Sequence, residues 1–131
     1  MDYTKTIDHW VKSSDEDFEV MLSLYSGKFF PWSLFVGHLV LEKLIKAIYT
    51  KVNQKDAPKI HNLSLLAHKS NIEVDEIRQN YLERITKFNT ETRYKDHKKE
   101  FQKLCTKEFT TEQINIIKEL RKWLKEELKK L

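Results

Sequence analysis

The stretch PWSLFVGHLVLEKLIKAIYTKV, Pro31 to Val52, constrains this chain more than any other part of it. At about 1.5 Å per residue it makes a helix of roughly 33 Å, long enough to run the length of a small domain. Trp32, Phe35, Val36, Leu39, Val40, Leu44, Ile45, Ala47 and Ile48 cover more circumference than a surface helix buries, so neighbours are expected on several sides. Each buried Val, Leu, Ile or Phe side chain is worth roughly 1.5–3 kcal/mol, so this segment alone supplies much of the folding drive. Polar residues on such a helix need a reason. Glu42 and Lys46 are four apart, His38 lies a turn earlier, and Lys43 is beside Glu42. Two readings are open: an i,i+4 ion pair at a solvated rim, or part of a polar site. The same interruptions, with Gly37, argue against a membrane span.

Composition narrows the class. Charged residues make up 34% of the 131, with two Gly and two Pro, which favours one helix-rich domain over residues 1–131 and requires no strand. Cys105 is the single cysteine, so no internal disulfide forms; with no charged-then-apolar leader, a cytoplasmic location is expected. The net charge of +4 permits nucleic-acid binding without establishing it, because acidic residues alternate with the lysines. Gly27 and Gly37 are the only glycines, which excludes a Gly-rich phosphate loop. The five histidines are scattered and lack metal-ligand spacing, so no metal or other cofactor is expected. Cys105 reads as a buried structural thiol.

In chain order, a first helix is expected over Thr4 to Tyr25, with Ile7, Trp10, Val11, Phe18, Met21, Leu22 and Tyr25 inward. Ser14 on that stripe implies close helix contact, and Asp17 borders it. Ser26 and Gly27 supply a stop and Pro31 a start, which makes the first two helices an antiparallel hairpin. A polar loop through Pro58 follows, then a short helix from Leu63 to about Lys69 capped by Asn62. A third long helix is expected over Asp75 to Phe88, with Ile77, Tyr81, Leu82, Ile85 and Phe88 inward. The last helix is expected to begin at Thr110 or Thr111, where Thr110 and Gln113 have capping-box spacing, and to carry Ile114, Ile117, Leu120, Leu124, Leu128 and Leu131 inward. Its lysines suit the helix dipole, and its wide apolar face fits either the core or a dimer surface.

Between these helices, Asn89 to Phe101 loses the apolar period and concentrates Arg93, Tyr94, Asp96, His97, Lys98 and Lys99. A solvated connection explains such a run. Arg93 also suits phosphate, since its planar guanidinium offers paired donors and stays charged. His97 is the segment's candidate for moving protons near neutral pH.

The ordered set resembles the HEPN domains, named for higher eukaryotes and prokaryotes nucleotide-binding. The resemblance rests on Trp10-x-x-x-Ser14-x-x-Asp17-Phe18, Phe29-Phe30, Leu41-Glu42-Lys43-x-x-Lys46-Ala47, Ile60-His61-Asn62-Leu63-x-x-Leu66 and Arg93-Tyr94. It implies an all-α up-and-down bundle of four main helices with a short extra helix, often a homodimer, with a polar groove between helices. By position, Glu42, Lys46, His61 and Arg93 would be the nucleotide-binding groove residues. The resemblance further implies nucleotide or RNA as ligand and a small nucleotidyltransferase as partner, as in toxin–antitoxin pairs. An alternative is a metal-independent ribonuclease using Arg93 and His97 as catalytic residues; a further one is a helical protein-interaction module without a ligand. Family nucleases carry four to six residues between Arg and His. Here Tyr94, Lys95 and Asp96 alone intervene, a departure from that pattern.

Overall fold

The computed structural model describes residues 2–131, and every regular element in them is an α-helix. Helix α1 (Thr4–Ser26) and α2 (Phe30–Asn53) form the expected antiparallel hairpin. Its turn differs in one detail. Gly27 keeps an ordinary φ of −80°, and Lys28 takes the left-handed conformation at φ 65°. Lys28 N–H then donates to Tyr25 O and Phe29 N–H to Leu24 O, closing two of the four carbonyls that a helix end leaves open. A Cβ on Gly27 would lie 3.1 Å from the Phe29 ring, which would have to move by a few tenths of an ångström to admit it.

Helix α2 is central, packed by α1, α6, α4 and α3, and Leu41, Leu44, Ile45 and Ala47 are fully buried. Ser14 allows the close approach expected of it, with its hydroxyl donating to Val40 O at 2.7 Å. On another side, a Cβ on Gly37 would sit 2.5 Å from Ile117 Cδ1 and 3.1 Å from Met21 Sδ, so α1, α2 and α6 converge there. Trp32 departs from its expected core position and is 41% exposed, while Ser33 and Leu34 of the same turn are fully buried, so it lies on the outer side of α2 there.

The chain then passes through α3 (Leu63–Lys69), α4 (Glu76–Arg93), α5 (Lys95–Leu104) and α6 (Lys107–Lys129). Asn62 and Asp75 cap α3 and α4 with side-chain bonds to Leu65 N–H and Arg78 N–H. Several expectations are corrected. Helix α4 continues past Phe88 to Arg93, and the segment expected to be a connection forms α5 beyond one extended residue, Tyr94. The anchor of α5 is Phe101, 2% exposed with its ring centroid 5.4 Å from that of Phe88. One buried residue in ten leaves little periodicity to read. Helix α6 starts at Lys107, where Thr106 accepts from Phe109 N–H at 3.1 Å; Thr110 is fully buried inside the helix and caps nothing. Ile77 lies about 80° around α4 from Ile85 and is 66% exposed, and Leu131, past the end of α6, is half exposed.

Candidate functional site

The groove residues inferred from the sequence fall into one hydrogen-bonded network. On α2, the i,i+4 spacing places Glu42 and Lys46 on one face, and Lys46 Nζ lies 3.1 Å from Glu42 Oε2. Both are buried, at 4% and 7% exposure, so the pair is not the solvated rim pair that common spacing rules describe. Trp10 of α1 covers the ammonium, its ring centroid 5.2 Å from Nζ. Asp17 and Ser13 hold the neighbouring Lys43 at 2.6 and 2.7 Å, fastening α1 to α2 beside the site.

Glu42 has a second partner. Its Oε1 accepts from His61 Nδ1 at 2.7 Å, and the His61 ring remains exposed at the end of the loop before α3. This carboxylate–imidazole contact leaves His61 Nε2 pointing away from the bonded edge, available to a ligand. His38, fully buried between them, donates from Nε2 to the His61 carbonyl at 2.8 Å. Its Nδ1 must therefore accept, and it does so from Asn89 Nδ2 at 3.4 Å. Burial is the main influence on His38 and pushes its pKa below the ordinary histidine value, against the His61 carbonyl and Glu42, which favour the charged ring. A neutral His38 fits both bonds.

Asn89 carries the network to Arg93. Its backbone carbonyl accepts from Arg93 Nε at 3.0 Å, and its side-chain oxygen accepts from Nη2. The guanidinium lies between Phe35 and Tyr94, 5.4 and 5.7 Å from their ring centroids. Arg93 is exposed, and its remaining donors have no protein partner among the described residues. A planar, permanently charged group is thus held in position by two bonds and two rings, with donors left over.

His97 lies outside this hydrogen-bond network. It is exposed on α5 and lines a hollow of about 130 Å³ with Glu91, Glu100, Phe101 and Leu104. No hydrogen bond or ion pair among the described residues joins any of these to the Arg93 guanidinium. From the sequence, His38 is noted beside Glu42 without being named among the groove residues, and Asn89 is passed over, although their spacings to Glu42 and Arg93 are each four and mark a shared helix face.

The family model of the HEPN domain matches residues 7–128. The chain therefore belongs to the HEPN domain family, whose members are generally concerned with nucleotides and RNA. No curated protein and no solved structure matches it.

Proposed function

We propose that this chain binds a phosphate-bearing ligand, a nucleotide or RNA, through Arg93 and His61, with Glu42 and Lys46 as the buried pair that fixes them. The observation that carries the reading is the unbroken run of bonds from Lys46 through Glu42, His61, His38 and Asn89 to Arg93. It orders two exposed groups, one cationic and one capable of donating or accepting, around a ligand that bears anionic oxygens. Glu42 neutralises Lys46 inside the protein, which leaves Arg93 as the phosphate-contacting cation of the set. The family resemblance extends this proposal to a homodimer and to a small nucleotidyltransferase as companion subunit in a toxin–antitoxin pair.

The test is binding of a labelled single-stranded RNA at several salt concentrations. Arg93→Ala is expected to weaken binding and to reduce the slope of log affinity against log salt by about 0.7, the value for one lost phosphate contact on a single strand. An unchanged slope and affinity would remove the assignment. The same samples, held in excess chelator, test cleavage: cutting by the wild type that disappears in both Arg93→Ala and His97→Ala would establish the ribonuclease reading.

A further inference from the structure

A hollow of about 220 Å³ lies between the α1–α2 turn with the first turn of α2, the end of α4 and α5. Two aromatic residues line it, Phe29 at 59% and Trp32 at 41% exposure. Two large aromatic rings open at one place offer flat apolar faces for stacking. Lys28 and Lys98 flank them, and neither has an ion-pair partner among the described residues. Lys28 reaches this place from the left-handed residue of the α1–α2 turn, a conformation that non-glycine residues seldom adopt. Gln102 and Thr92 complete the lining, and the Thr92 hydroxyl donates to Pro31 O at 3.3 Å, joining α4 to the start of α2.

We propose that this hollow is a stacking subsite for one unpaired base of single-stranded RNA, adjoining the phosphate contact at Arg93. The inference rests on the phosphate reading above and deepens it. Trp32 and Phe35 meet at 5.8 Å between centroids, and Arg93 lies over Phe35 at 5.4 Å, so Phe35 links the Trp32 ring of the hollow to the guanidinium. The volume is below the roughly 300–1,000 Å³ of pockets that enclose a whole small ligand, and it suits a single flat ring system with its sugar and phosphates outside. Lys28 and Lys98 then meet backbone phosphates on either side, and the Gln102 amide can bond a base edge. A duplex keeps its bases stacked internally and has none to offer. Alternating cations and exposed rings are what a single strand requires.

The experiment measures binding of two fluorescent RNA 12-mers, one complete and one with abasic sugars throughout the same phosphate backbone. Trp32→Ala is expected to weaken binding of the complete strand about fivefold or more and to leave the abasic strand unchanged, while Trp32→Phe restores most of the loss. Arg93→Ala is expected to weaken both strands. If Trp32→Ala has no effect while Arg93→Ala weakens both, the stacking subsite is overturned and the phosphate reading stands. If neither variant matters, both fall. Sedimentation is run in parallel: a dimer that Trp32→Ala splits, with no base-dependent loss of affinity, assigns the hollow to a contact between two copies and overturns the proposal.

Discussion

Replacing Glu42 tests whether the network is one unit. Its carboxylate faces the Lys46 ammonium at 3.1 Å, and both residues are more than nine-tenths buried. At an effective dielectric of about 20, charges that close attract by about 5 kcal/mol, much of which is consumed by removing them from water. Taking away one partner restores none of the lost hydration, so Glu42→Leu is expected to cost about 3–5 kcal/mol, a large share of the roughly 5–15 kcal/mol that holds a domain folded. Lys46→Met should cost less. It leaves Glu42 with His61, whose Nδ1 is 2.7 Å away. The double variant Glu42→Leu/Lys46→Met removes both charges and is expected within about 1 kcal/mol of the wild type, because a buried ion pair is commonly no better than well-packed apolar residues. Urea unfolding followed by helical circular dichroism gives all four stabilities. The coupling between the two substitutions should therefore favour the double variant by at least about 2 kcal/mol. Additive losses would show that the two side chains act separately and would refute the reasoning. The double variant also separates stability from binding: it keeps the fold but releases His61 from its carboxylate, so RNA affinity should fall while stability does not.

Two further predictions concern protons and the thiol. Because His38 is harder to protonate in the folded chain than in the unfolded one, the unfolded state binds more protons over the window just below the ordinary histidine value of about 6.5. Stability should fall as pH drops through that window, and His38→Gln should flatten the decline in urea midpoints measured between pH 7 and pH 5; an unchanged pH dependence would contradict a buried neutral ring. Burial, with Glu91 nearby, pushes the Cys105 thiol up to about 12. A thiol reagent at pH 8 should leave it unmodified in the native protein and react promptly once urea unfolds the chain, and rapid native labelling would refute this.

How much was legible in the sequence follows from which signals are local. The dense apolar pattern of Pro31–Val52 identified the central helix, and Ser14 marked a close helix contact, because both depend on residues a few positions apart. Helix α5 was not legible: a single inward Phe101 is indistinguishable from a stray aromatic in a loop until Phe88 is seen against it. The start of α6 failed for a related reason. Thr106 and Thr110 both offer a capping hydroxyl, and burial of Thr110 decides between them. In the site, the spacing of Glu42 and Lys46 gave their pairing without its depth. The bond from the buried His38 to His61, and that from Asn89 to His38, cross between elements that are far apart in sequence. No residue count along one helix reveals them.

The extended residue at Tyr94 changes what the interval between Arg93 and His97 measures. Along a continuous helix, an interval in sequence is a ruler: each residue adds about 1.5 Å and 100°. Here the ruler is broken. Arg93 is the last residue of one rod, and His97 lies in the first turn of another whose direction is set by the φ of −86° and ψ of 132° at the joint. With Phe101 anchoring α5 against Phe88, a residue added just after Tyr94 is taken up at the joint, and His97 keeps its place on α5 while Arg93 stays bonded to Asn89 on α4. In this chain the placement of the arginine and that of the histidine are therefore independent variables. Three intervening residues and four do not differ by a fixed rotation of one side chain relative to the other.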